Sequence, residues 1–88
     1  MIRVKKSKNR VWVTFIVEEG NEVYIKGSWN QWQKEPLKRR KNGTFSITKI
    51  LKPGRYEFGY EIDGEWKTEH SLPSVATPFH SKNSLLEV

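Results

Sequence analysis

The sequence contains no cysteine and no apolar run long enough to cross a bilayer. The missing cysteines exclude disulfide frameworks, thiolate nucleophiles and cysteine-based zinc sites together. They also leave the redox compartment unreadable. A spanning helix needs about 18 or more consecutive apolar residues, and none occurs, so no membrane association is expected. The opening stretch MIRVKKSKNR is charged throughout and lacks the apolar centre of a secretory signal. The cytoplasm is the expected setting. At 88 residues the chain suits one domain, 1–88, with one small core and no second catalytic unit.

Catalytic constellations are equally scarce. The two histidines, His70 and His80, fall in one irregular stretch near Glu69, at a spacing that matches no metal-ligand motif. Two loop histidines and no metal are the expectation. Glu57 and Glu61 would share a strand face about 13–14 Å apart, beyond the roughly 5–9.5 Å that glycosidase carboxylate pairs span. Ser71, Ser74, Ser81 and Ser84 have no base and orienting acid beside them. No Gly-rich phosphate loop occurs. The chain is therefore expected to be no enzyme, with no catalytic residue and no cofactor.

What the chain does carry is positive charge. Sixteen Lys and Arg against ten Asp and Glu leave a net charge of +6. Many of the cations sit in two stretches, Arg3 to Arg10 and Lys34 to Lys41. Such clusters attract phosphate backbones. They equally suit the solvated face of an edge strand, where lysine discourages pairing with other chains.

The apolar pattern has period two. In RVWVTFIV, Val11, Val13, Phe15 and Val17 alternate with Trp12, Thr14 and Ile16, which predicts a central strand apolar on both faces, with Trp12 in the core. EVYIKG places Val23 and Ile25 on one face and Tyr24 on the other. GTFSITKI alternates Phe45 and Ile47 with Thr44, Ser46 and Thr48. RYEFGYEI turns Tyr56, Phe58, Tyr60 and Ile62 inward and Glu57, Gly59 and Glu61 outward. SLLEV forms a last strand. Glu19-Gly20-Asn21, Asn42-Gly43, Pro53-Gly54 and Asp63-Gly64 punctuate these segments, and the Asn-Gly and Asp-Gly pairs predict hairpins over 36–50 and 55–68. The stretch 69–83, with Pro73 and Pro78, reads as a long loop. No helical stripe stands out. An all-β antiparallel sandwich follows.

Four tryptophans remain to be placed. Trp29 reads as core packed beneath a turn. Trp32 follows Asn30 and Gln31, and Trp66 follows Asp63, Gly64 and Glu65, so both lie in polar, turn-like surroundings. An indole held there is a flat apolar plate facing water. It suits a nucleobase or the C–H face of a pyranose ring, with nearby polar groups bonding the ring-edge hydroxyls. It equally suits a cap on the sandwich ends.

The combination GSWNQW, Pro53-Gly54-x-Tyr56, Asp63-Gly64-x-Trp66 and a closing Asn83 resembles the glycogen-binding module of AMP-activated protein kinase β subunits. It is also similar to carbohydrate-binding module family 48, found before the catalytic domains of isoamylases and branching enzymes. The similarity runs from about Arg10 to Val88. It implies an immunoglobulin-like (early-set) β-sandwich, in agreement with the alternation. It implies that Trp32 and Trp66 stack on α-1,4-linked glucose rings, and that Phe79 plugs the curve of the glucan. Asn83 and Ser81 match the positions that bond sugar hydroxyls. The resemblance also implies a lysine where this chain has Gly59, with Lys34 or Lys67 as candidate replacements.

The expected function is thus a non-catalytic carbohydrate-binding module for glycogen, starch, maltooligosaccharide or cyclodextrin. A glucan-active enzyme or a kinase subunit is the partner the resemblance implies. Two other readings stand beside it: a docking sandwich that has lost sugar binding, and single-strand nucleic-acid binding by stacking. Nucleic acid is not the expected partner.

Overall fold

The structure, a computed structural model, describes residues 1–78 and 81–88. In chain order its strands are β1 (Ile2–Ser7), β2 (Arg10–Val17), β3 (Val23–Gly27), β4 (Glu35–Pro36), β5 (Lys38–Arg39), β6 (Phe45–Leu51), β7 (Arg55–Ile62), β8 (Glu65–Lys67), β9 (Ser74–Ala76) and β10 (Lys82–Glu87). One short 3₁₀ turn, Ser28–Asn30, follows β3. The first sheet has the order β1-β2-β6-β5, and the second β4-β3-β7-β10-β9, with β8 also paired to β7. Every ladder is antiparallel. The chain changes sheet between β2 and β3, between β4 and β5, and between β6 and β7. This is an immunoglobulin-like antiparallel β-sandwich. Among the described residues no helix is long and apolar enough to cross a membrane.

The inward positions of the alternating segments fill the space between the sheets. Val11, Val13, Phe15 and Val17 from β2 meet Val23 and Ile25 from β3, and Phe58 and Tyr60 from β7. Phe15 and Phe58 meet edge to face, with centroids 5.0 Å apart. Burying each ring contributes about 1.5–3 kcal/mol, against about 0.5–1.5 kcal/mol for ring–ring geometry, so area decides the packing. Trp29 lies on Gly27 and packs half-buried against Phe15, Tyr56 and Phe58, as a core ring under a turn should.

The two basic stretches build opposite edges of the first sheet. β1 is exposed from Arg3 to Ser7, and β5 is Lys38 and Arg39, both exposed. Of the two roles considered for these cations, the charged edge strand fits the structure.

Four expectations need correction. Trp12 is 41% exposed rather than core. β2 is central in its sheet, but that sheet has one covered face, and Val11, Val13, Phe15 and Val17 occupy it. Trp12 therefore emerges on the outer face between its cross-strand partners Lys5 and Ile50. The hairpin expected over 36–50 is shorter, because Pro36 pairs with Tyr24 in the second sheet and Leu37 dips into the core. Of the expected first arm only Lys38 and Arg39 pair with β6, around a loop in which Gly43 (φ 85°) takes the left-handed position and Asn42 does not. The stretch 69–83 is not wholly loop, since Ser74–Ala76 adds an edge strand beside β10. The last strand begins at Lys82, earlier than expected.

The hairpin over 55–68 forms as expected. Asp63 (φ 51°) and Gly64 (φ 83°) make its type I′ turn. The Asp63 carboxylate also accepts the Asn21 and Glu22 backbone N–H groups, at 2.9 and 2.8 Å, which pins this turn to the β2–β3 loop. Those two bonds hold its carboxyl below the ordinary range.

Candidate functional site

Trp32 and Trp66 come together on the outer face of the second sheet, with ring centroids 6.5 Å apart and planes inclined by 52°. Each indole is held by a different device. Trp66 stands opposite Glu61 in the β7–β8 ladder, and its ring lies across Gly59. A Cβ on residue 59 would overlap the indole, 2.6 Å from Cε2 and Cη2. The indole N–H donates to the Lys82 carbonyl at 2.9 Å, which ties the ring edge to β10. Gly59 is the floor of the site.

Trp32 reaches the same face through an unusual turn. Gln31 (φ 59°) and Trp32 (φ 64°) are both left-handed, at a cost of about 1–2 kcal/mol each for residues with a side chain. The turn is braced on several sides. The Trp32 N–H donates to the Gly27 carbonyl at 3.0 Å. Asn30 accepts from the Gln33 N–H at 3.1 Å and donates to Glu35 Oε2 at 3.1 Å. Lys49 holds the other Glu35 oxygen at 2.7 Å. Asn30 of GSWNQW thus serves the turn, and the turn presents Trp32, which is 37% exposed.

Polar groups flank the two rings on both sides. Toward β10, the Asn83 amide donates to Glu57 Oε1 at 3.2 Å. Toward β3, Glu61 receives Lys34 at 3.2 Å and Lys26 at 3.4 Å, while the Lys34 ammonium lies 4.0 Å from the Tyr24 ring centroid. The Lys34 hydrogen bond, helped by Lys26, holds the Glu61 carboxyl below its ordinary range. Ser81 shares a 2.7 Å hydroxyl bond with Thr77 just before β10.

A model of one family, described as the glycogen recognition site of AMP-activated protein kinase, matches residues 11–88. The chain belongs to that family. Among its relatives are the β-1 subunits of 5′-AMP-activated protein kinase from Rattus norvegicus and Homo sapiens, each 35% identical over 69 residues. Those matches cover 78% of this chain and 25% of each subunit. The Arabidopsis thaliana protein named PTST homolog 2, chloroplastic, is 30% identical over 86 residues, covering 97% of this chain and 15% of that protein. The chain therefore spans about a quarter or less of the length of these relatives. Its fold is shared by the apo pullulanase of Paenibacillus barengoltzii, with a TM-score of 0.56 at 15% identity over 96% of this chain and 14% of that one.

The structure brings Trp32, Trp66, Lys34 and Asn83 to one sheet face, with Ser81 at its border. Phe79 and His80 lie outside the described residues. Lys67 faces away from the rings, since its cross-strand partner is the inward Tyr60. Two contributors escaped the sequence reading. Lys26 sits beside Gly59 through the β3–β7 register, and Glu61 gathers both lysines. The outward alternation of Tyr24, Lys26 and Glu61 was legible, but no local signal reveals which residues are cross-strand neighbours.

Glu69, grouped above with the histidines, is a buried structural anchor at 6% exposure. Its carboxylate accepts from the Met1 ammonium and the Tyr60 hydroxyl, both at 2.8 Å, and from Ser71. Burial pushes the Tyr60 hydroxyl upward, and the adjacent Glu69 charge adds to the shift. Among the described residues no cluster suited to a metal ion occurs.

Proposed function

We propose that residues 1–88 act as one non-catalytic binding domain for α-1,4-linked glucan, with Trp32 and Trp66 stacking on the sugar rings. The inclined pair of rings carries this reading. Successive α-1,4-linked glucoses turn relative to one another, so a curved chain presents its C–H faces at an angle. Coplanar plates would favour a flat ribbon instead. Stacking recovers about 25 cal/mol for each Å² of apolar area removed from water, the Trp66 ring is already fixed by Gly59 and the Lys82 carbonyl, and the Trp32 backbone is held by its turn. Little entropy remains to be lost on binding.

Asn83, Ser81 and Lys34 supply hydroxyl contacts at the rim in this reading, and Phe79 is the proposed apolar plug. Glycogen, starch, maltooligosaccharide and cyclodextrin all present suitable rings. The dissociation constant expected for such a small site is about micromolar to millimolar. Relatives named as kinase β subunits suggest that the domain brings an enzyme to polysaccharide, raising its local concentration there. Its proposed setting is the cytoplasm.

Affinity electrophoresis through a glycogen gel tests the proposal. The protein should be retarded relative to a glycogen-free gel, and Trp32→Ala and Trp66→Ala should run faster. Equal mobility of all three proteins in both gels would dispose of it.

A further inference from the structure

We infer that Lys26 and Glu61 form a subsite for the vicinal hydroxyl pair of a glucose unit, lying along the β3 side of the two indoles. This rests on the glucan reading above and extends it to residues outside the expected set. Lys26 is the cross-strand partner of Gly59, the residue on which Trp66 lies. Directly opposed residues of an antiparallel pair have Cα atoms about 4.5–5.5 Å apart. The Lys26 side chain therefore rises beside the indole, where Gly59 offers no side chain to screen it.

The ammonium is paired with Glu61 Oε2 at 3.4 Å. Glu61 is itself opposed to Trp66 in the β7–β8 ladder and carries Lys34 on its other oxygen at 3.2 Å. A cation and a carboxylate thus lie side by side at the ring edge, about one-third and one-quarter exposed at 35% and 24%. This is the pattern that two adjacent hydroxyls need. One hydroxyl donates to the carboxylate while its neighbour accepts from the ammonium. In an α-1,4-linked glucan the free O2 and O3 hydroxyls form such a pair on every residue.

The ionised state of Glu61 at neutral pH, favoured by both lysines, keeps its oxygens available as acceptors. Its two existing partners are partly exposed ammonium groups, and these can each keep a bond to Glu61 while donating other protons to sugar oxygens. Lys67 offers a matched control. It carries the same charge, is exposed, and belongs to the β7–β8 hairpin that carries Glu61 and Trp66, but it faces away from the rings.

The experiment titrates intrinsic tryptophan fluorescence with three probes: β-cyclodextrin, the same ring methylated at O2 and O3, and the ring methylated only at O6. The wild-type chain should bind the O2,O3-methylated ring about tenfold more weakly than the parent and the O6-methylated ring almost as well. Lys26→Met should lose about tenfold for the parent ring and show a smaller further loss on O2,O3 methylation than the wild-type chain does, since Glu61 still accepts from one hydroxyl. Lys67→Met should behave as wild type. Thermal melts of each variant confirm that the fold is intact, and Lys26→Gln provides a second variant should Lys26→Met aggregate. Wild-type affinity in the folded Lys26 variants, or undiminished discrimination against O2,O3 methylation, would overturn the inference while leaving the stacking site standing. If the wild-type chain binds neither cyclodextrin nor glycogen, the glucan reading fails first, and this subsite falls with it.

Discussion

The Trp66 indole rests directly on the Gly59 backbone, so the two residues form a single structural unit. The ring occupies the volume that any side chain at 59 would claim. In this chain a residue with a side chain at that position and a flat Trp66 exclude each other. Replacing Gly59 by alanine should tilt or expel the indole, lowering affinity for β-cyclodextrin about tenfold or more as stacking area is lost. Gly59→Lys should do at least as much harm, despite the lysine that the family resemblance implies there. Fluorescence titration of both variants would show it, and unchanged binding by Gly59→Ala would mean that the ring has another stable position.

Trp12 supplies the negative control for the two rings proposed to stack on glucan. It is exposed on the outer face of the first sheet, among Arg3, Lys5, Thr14 and Thr48. Trp12→Ala should leave glycogen retardation unchanged, whereas Trp32→Ala and Trp66→Ala should each weaken it about tenfold or more. Binding should also vary little between about 50 and 200 mM salt, because stacking releases no counterions. A protein using 6–10 phosphate contacts would lose about 10³–10⁵ over that range.

The left-handed pair at Gln31 and Trp32 makes a prediction about stability. A β-branched residue tolerates positive φ poorly. Gln31→Val should lower stability by about 1–2 kcal/mol, while Gln31→Gly should stay within about 0.5 kcal/mol of wild type, its relieved strain offsetting the added chain entropy. Urea denaturation separates the two. Equal stability of both variants would show that the turn relaxes without cost.

Acid should unfold the domain partly through Glu69. Burial pushes its carboxyl upward, but bonds from the Met1 ammonium, Tyr60 and Ser71 outweigh that effect and hold it below the ordinary range. A carboxyl lowered in the folded state contributes stability that is complete above its unfolded value, near 4.5, and is lost as pH falls through the folded one. The melting temperature should be nearly flat above about pH 5 and decline below about pH 4. Glu69→Gln should melt lower at neutral pH and show a shallower acid decline. A decline parallel to wild type would assign the acid sensitivity to other carboxylates, Asp63 first among them.

Alternation and turn chemistry carried much of the architecture into view. Phe58 and Tyr60 inward with Glu57 and Glu61 outward, and the Asp63-Gly64 hairpin, follow from period two and from the φ preferences of those residues. The same rules misplaced Trp12, because an apolar outer position looks identical in sequence whether or not a second layer covers it. They also missed β9, since three residues bounded by Pro73 and Pro78 are too few to display a period.

Residue type and turn neighbours left Trp32 and Trp66 open between ligand plates and end caps, and the resemblance carried by the motif combination is what implied a stacking pair. Everything about how they are mounted depended on contacts distant in the chain: Gly59 under Trp66, Lys82 on its N–H, Gly27 holding the Trp32 backbone, and Lys26 beside the floor. Periodicity is a property of consecutive residues, set by backbone geometry, so it can be read locally. Register and sheet order emerge only when separate strands meet, and they alone determine which outward side chains become neighbours.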